Sequence, residues 1–391
     1  MCPWVPLVRL VAPPQLPPPS FRKPLTELER FRAPPPAQAK TLARWYSSAL
    51  TRWGVTLQRN GKPGEAAPCF ALAHELNPDN LPARVNLQSA SNLLAHVKMT
   101  VDRDPSFQDR LSDYLSSNPD LSDNGPFDEP SYCYRLGRGL AGAGMLRQAC
   151  QELERATVLA PGDYASRIVL GETLLRGGLL DRALQTADGI RADPDLQPLG
   201  PTNEVDVALL EAKVWFAKTN RTKAEGIINS LLASHAEDTR LLDCAEDLFT
   251  AYGSYSNALQ IVARRLQSAP DKPEALVTKG SLTILLGDFS NAIPPLTRSL
   301  ELTNSYAARL DRAFAYVRSG RLDAAEADYK ELLRAFPTAY RAYYWLGEIA
   351  WQNKDTNAAI HYYQQCLSNS AAGAEESKLV AARLKLLQQK E

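Results

Sequence analysis

The chain has 391 residues, 45% apolar and 23% charged, the balance of an ordinary folded protein rather than a disordered or fibrous one. Its 44 Lys and Arg offset 44 Asp and Glu, which argues against nucleic acid or any other partner held by bulk charge. No uncharged apolar stretch approaches the length needed to span a bilayer, so no membrane-spanning segment is expected.

Residues 1–41 read as a Pro-rich arm. Eleven of the 28 prolines lie between Pro3 and Pro36, and proline both fixes φ and removes a backbone donor. The arm is therefore expected to be extended or disordered. Pro14-Gln-Leu-Pro17 fits the PxxP form that docks aromatic grooves, a pattern Pro-rich linkers also match by chance. Val5–Ala12 is too short and broken for a signal peptide. The abrupt start is read as a fragment of a longer chain or an internal Met as readily as a true terminus.

From Leu50 the material changes. Leu50, Trp53, Gly54 and Leu57 are followed by Gly61, Ala66, Phe70, Ala73 and Pro78, which predicts two amphipathic helices joined by a Gly turn and closed by Pro. One such hairpin cannot bury its apolar face alone, so the pattern should repeat. It does so at 47–80, 130–163, 164–197, 205–238, 239–272, 273–305, 306–339 and 340–373. Position 20 of these units is Ala every time: Ala66, Ala149, Ala183, Ala224, Ala258, Ala292, Ala325 and Ala359. Small residues there let two helix axes approach.

Two stretches break the array. Residues 81–129 read as a degenerate unit whose first helix is followed by an inserted loop. A shorter insertion, Asp193–Pro201, precedes the unit at 205–238. Residues 374–390 predict a capping helix that lays Leu379, Leu384 and Leu387 over the last hairpin.

Nothing in this sequence reads as catalytic, so the chain is expected not to be an enzyme. Gly137-Arg-Gly139-Leu-Ala-Gly142 spells a dinucleotide fingerprint, but the strand and βαβ setting that chemistry needs are missing. A site built from the insertions would hold Asp102, Asp104 and Asp109 but no histidine. Six scattered cysteines without a CxxC pair, and four histidines without HExxH, predict neither metal nor other cofactor. Cys69, Cys133 and Cys366 fall on packing faces and read as buried fillers. Unpaired cysteines and the missing signal lean toward a cytoplasmic, reducing setting, or a membrane-associated one if the chain is a fragment.

The 34-residue pattern resembles the tetratricopeptide-repeat family over roughly residues 42–390. The resemblance implies an all-α, right-handed superhelical solenoid of helix hairpins carrying the Pro-rich N-terminal arm. It also implies a concave groove lined by the first helix of each hairpin, at positions 2, 5, 9, 12 and 13. Carried onto this sequence, the groove gathers Arg138, Arg176, Lys213, Phe216, Ile284, Leu310, Phe314, Arg318, Arg341, Tyr344 and Trp351. Some of these positions could equally pack between neighbouring first helices. The implied function is a scaffold that binds a protein or peptide partner, with an apolar, aromatic C-terminal half, arginines at its rim, that suits an apolar peptide segment or a partner helix with acidic flanks. Co-chaperone members clamp a terminal carboxylate with Lys at position 5 and Asn at position 9, and that pair is not found here. A second resemblance rests on ARWYSSALTRWGVTLQRNGK at 43–62 and NGPFDEP at 124–130. These are similar to the soluble C-terminal repeat region of bacterial membrane proteins related to protein O-mannosyltransferases, which would make the chain an accessory part lacking the catalytic portion.

Overall fold

The tight reversal between paired helices needs one residue in the left-handed region, and that residue falls at position 15 of every unit. Its φ is +75° at Gly61, +78° at Gly144, +74° at Gly178, Gly253 and Gly320, and +82° at Gly287. Glycine reaches that region without steric penalty. Two units use another residue: Thr219 at +62° and Lys354 at +63°. A side chain there costs roughly 1–2 kcal/mol.

The computed structural model describes residues 37–102, 124–235, 238–370 and 375–388. Among the described residues are eighteen α-helices, one short 3-10 turn at Pro194–Leu196, and no strand. The chain divides into two compact units, Met1–Pro198 and Leu199–Glu391. The first holds α1 (Ala37–Arg59), α2 (Pro63–Leu76), α3 (Leu81–Leu94), α4 (Pro130–Gly142), α5 (Leu146–Leu159), α6 (Tyr164–Arg176) and α7 (Leu180–Ala192). The second opens with α8 (Pro201–Ala217), α9 (Arg221–Ser234), α10 (Thr239–Ala251), α11 (Tyr255–Ser268), α12 (Pro273–Leu285) and α13 (Phe289–Leu302). It continues through α14 (Tyr306–Arg318), α15 (Leu322–Ala335), α16 (Tyr340–Gln352), α17 (Thr356–Asn369) and α18 (Glu375–Gln388).

Each unit is a stack of hairpins in which a helix packs on the next in sequence. First helices of successive hairpins also touch, as α12 touches α14. Helix starts follow local chemistry. The side chains of Asn80, Asp163, Asn220, Asp238, Asp288, Ser305 and Asp355 each accept a backbone N–H in the first turn. Pro63, Pro130, Pro201 and Pro273 open helices where no donor is needed. For that reason α8 begins at Pro201, ahead of the expected unit. Helix α1 likewise begins at Ala37, inside the stretch assigned to the arm, because Ala-Gln-Ala-Lys after the Pro triplet is good helix material.

The eight position-20 alanines have no exposed surface. A second register lies beneath them. In four units position 8 is glycine and position 24 is large, so the side chain of one helix seats directly on the backbone of the other. A Cβ placed on Gly54 would meet Phe70 at 2.5 Å, one on Gly137 would meet Leu153 at 2.6 Å, and one on Gly347 would meet Tyr363 at 2.5 Å. At Gly280 the nearest atom would be Leu296 Cγ, closer still. Gly137, first glycine of the apparent dinucleotide fingerprint, is thus a packing glycine inside α4. The unit at 239–272 departs from the register: its position 8 is Glu246, half-buried and 3.4 Å from Arg265 of α11.

Residues 103–123, with Asp104 and Asp109, lie outside the described residues. The segment that follows ties the degenerate unit together. Fully buried Asp128 accepts from Arg155 Nε at 2.8 Å, Arg59 Nε at 3.1 Å and Gln58 Nε2 at 2.8 Å. Its backbone N–H donates to Asn86 Oδ1 at 2.7 Å, and its carbonyl accepts from Ser89 Oγ at 3.1 Å. The carboxylate therefore joins α1 to α5, and the backbone of the same residue adds α3. Glu129 caps α4, and Phe127 packs its ring 4.8 Å from that of Tyr132. The segments 43–62 and 124–130, which carry the second resemblance, are in contact here.

At the other end α18 covers the last hairpin through Val380, Leu384 and Leu387, which join Ala359, Tyr363 and Cys366. Leu379, expected in that interface, is 58% exposed, and its neighbour Val380 takes the inward position. Arg383 of α18 pairs with Glu348 at 3.1 Å, and Glu348 accepts from the Tyr363 hydroxyl at 2.7 Å.

Two substitutions should move stability against ordinary helix rules. Gly280→Ala normally gains about 1 kcal/mol in a helix, but here the methyl meets Leu296 and a net loss of about 1–3 kcal/mol is expected. Lys354→Gly relieves a left-handed side chain and should raise the melting temperature, as read by circular dichroism. The opposite signs for either variant would break the register.

Candidate functional site

The second unit brings rings together along α14 and α16. Phe314 lies 6.0 Å edge-on from Phe289 and 5.3 Å from Trp345, which lies 5.1 Å from Tyr344. Between the two helices Leu310, Asp311, Phe314, Arg341, Tyr344 and Trp345 line an open pocket of about 260 Å³. Four of these six are groove residues anticipated from the repeat positions: Leu310, Phe314, Arg341 and Tyr344. Arg318 adjoins them, its guanidinium 4.6 Å from the Phe289 ring centroid and 5.9 Å from that of Phe314.

The other expected groove residues are placed elsewhere. Phe216 is only 4% exposed, stacked on Tyr252 at 4.5 Å and set edge-on to Phe249, so it belongs to the core rather than to a surface. That correction follows from its place near the end of α8, where α10 packs against it. Ile284 is half-buried against the cluster around Ala292 and Leu296. Lys213 is half-buried on α8. Trp351 is 38% exposed, lies further along α16 than the pocket and does not line it. Arg138 sits over the Tyr134 ring at 5.7 Å, and Arg176 donates to the Ala141 carbonyl at 3.0 Å. Both stand in the first unit.

Two lining residues, Asp311 and Trp345, are not among the expected positions. Each is position 6 of its unit, and Asp311 is three residues before Phe314, on the same face of α14. The Asp311 carboxylate accepts from the Ser281 hydroxyl on α12. No Lys or Arg is paired with it among the described residues. Burial pushes its pKa above the ordinary aspartate value, and the Ser281 hydrogen bond offsets only part of that. Behind it lies fully buried Tyr329 of α15, whose hydroxyl is held protonated by burial and by the charges of Asp311 and Asp328. Asp328 is satisfied differently: Arg312 reaches both its oxygens, at 2.8 and 2.7 Å.

No group of three or more His, Cys, Asp or Glu among the described residues is placed to hold a metal ion. No described helix is long and apolar enough to cross a membrane. What this site offers is ring faces, a carboxylate and arginines.

Among the described residues sixteen of the eighteen helices pair into eight hairpins, an all-α array. Residues 134–196 and 310–374 match the tetratricopeptide repeat family, and the second match contains the whole pocket. The chain thus carries tetratricopeptide repeats in those two stretches, and such an array is the architecture of a protein–protein interaction scaffold. Among curated proteins it is similar to DnaJ homolog subfamily C member 3 of Bos taurus, 30% identical over 105 residues, which are 27% of this chain and 21% of that protein. The human counterpart is 29% identical over the same shares. The match thus spans about a fifth of the length of those relatives. Among solved structures, a tetratricopeptide repeat protein from Parabacteroides merdae matches with 19% identity and a TM-score of 0.43, covering 66% of this chain and 98% of that one. The C-terminal part of a TPR repeat-containing protein from Cytophaga hutchinsonii matches with 14% identity and a TM-score of 0.47, covering 63% and 98%.

The environment of Asp311 carries a stability consequence. A raised carboxyl pKa means the folded state prefers the protonated form, a preference fully present at acid pH and lost as pH rises through the raised value. Asp311→Asn keeps a partner for Ser281 and removes the buried charge. It should therefore unfold at a higher temperature than the native chain at pH 7, with the gain shrinking as pH is lowered below the aspartate range. A lower melting temperature at pH 7 would contradict this.

Proposed function

We propose that the chain is a non-enzymatic scaffold that captures a peptide or helix of a protein partner between α14 and α16. The observation that carries this reading is the three rings, Phe314, Trp345 and Tyr344, that border an open pocket, with Phe289 set edge-on behind Phe314. Buried aromatic anchors next to arginines are the residue types that dominate binding energy at protein interfaces. Arg318 and Arg341 at the margin favour acidic residues flanking the captured segment. The pocket lies in the second unit, so the reading does not depend on the Pro-rich arm or on the first unit.

A random-peptide library displayed on phage and panned on the purified chain supplies the probe. Phe314→Ala combined with Tyr344→Ala should weaken an enriched peptide by about ten-fold or more, with helical content unchanged by circular dichroism. Equal affinity for native chain and double variant would remove the groove from the account.

A further inference from the structure

Resting on that reading, we propose that the pocket between α14 and α16 takes a basic side chain of the bound segment, a lysine ammonium or arginine guanidinium, against the Asp311 carboxylate and the rings of Phe314, Tyr344 and Trp345.

The argument begins with how this unit treats its other sheltered acids. Asp328 holds Arg312 through both oxygens, Glu348 holds Arg383 and the Tyr363 hydroxyl, and Glu246 has Arg265 nearby. Asp311 is sheltered as they are, yet its only hydrogen-bond donor among the described residues is the Ser281 hydroxyl. Burying a carboxylate without a cation is unfavourable unless something supplies one. Asp328 cannot relieve it, being already committed to Arg312, and the nearby Tyr329 hydroxyl has no hydrogen-bond partner among the described residues. What distinguishes Asp311 from the paired acids is that it lines an opening.

The walls of that opening suit a cation as well. Ring faces carry partial negative charge, and an arginine or lysine over them gains roughly 0.5–2 kcal/mol. The rings here already behave this way, because Arg318 lies over Phe289 and near Phe314. Leu310 gives the methylene stem an apolar contact, as long basic side chains require. A pocket of about 260 Å³ has room for one long side chain. Arg341, on the exposed margin beside the Tyr340 ring at 5.8 Å, disfavours a second cation and favours an acidic neighbour. The recognised sequence is therefore a basic anchor next to an acidic residue. This refines the expectation of an apolar segment with acidic flanks, because the centre of the groove is charged.

The test uses the phage-displayed random-peptide library on the full chain. Enriched peptides should share a Lys or Arg at one fixed position. Replacing that residue by citrulline (for Arg) or norleucine (for Lys) should cost about ten-fold or more in affinity for the native chain, and less than about two-fold for Asp311→Asn, the signature of direct coupling. Enriched peptides without a basic residue would overturn the proposal, and so would equal losses on both proteins. Peptides that ignore Asp311→Asn but are lost with Phe314→Ala and Tyr344→Ala would sink this inference alone. Peptides indifferent to all three substitutions would sink the scaffold groove with it.

Discussion

The fold depends on close approach within each hairpin, tightest in four of the eight, where a large side chain at position 24 seats on the bare backbone of a glycine at position 8. Phe70 on Gly54, Leu153 on Gly137, Leu296 on Gly280 and Tyr363 on Gly347 leave no space for even one methyl. Interhelix distance is set by the side chains at the crossing, so this pairing fixes how closely those hairpins close. The fully buried Ala at position 20 serves the same end one turn earlier on the second helix. Elsewhere the pair changes. Ala313 stands where glycine would, opposite Tyr329, and Glu246 brings Arg265 with it.

The candidate site is a consequence of that spacing. Residues one repeat apart, such as Leu310 and Tyr344, fall on corresponding faces of α14 and α16. The close pairing of α14 with α15, and of α16 with α17, consumes the small faces of the first helices and leaves their large residues pointing away from the hairpin interior. Phe314 and Trp345 then meet across the gap at 5.3 Å. The same stacking that buries Ala313 and Gly347 therefore exposes rings and Asp311 to one opening. Asp311 is better tolerated by the fold when neutral, a conflict between stability and function of the kind expected at binding sites.

The hairpins were legible from the sequence because glycine, alanine and proline act locally: turn, contact and stop each need one residue type at one offset. Four pocket residues were legible for the same reason, since repeat positions translate directly into faces. Asp311 and Trp345 were not, because position 6 faces the opening only where the neighbouring helix leaves room, which no single repeat reveals. Phe216 looked like surface and proved to be core because its partners, Phe249 and Tyr252, come from the next hairpin. Asp128 escaped notice for a related reason: its partners lie 27 to 70 residues away, from Arg155 to Gln58, and no periodicity links them. Leu379 and Val380 are adjacent apolar residues, and only the docking of α18 decides which turns inward.

Close approach at the glycine is the claim on which the rest stands, and a cross-link reads it directly. An atom added at Gly280 would lie against the Cγ of Leu296, where a cysteine sulfur would sit. In a chain with its native cysteines replaced by serine or alanine, Gly280→Cys with Leu296→Cys should oxidise promptly to an intramolecular disulfide, seen by intact mass as the loss of two hydrogens. Two thiols that both stay free and alkylatable under the same oxidant, in a chain that remains helical, would contradict the account.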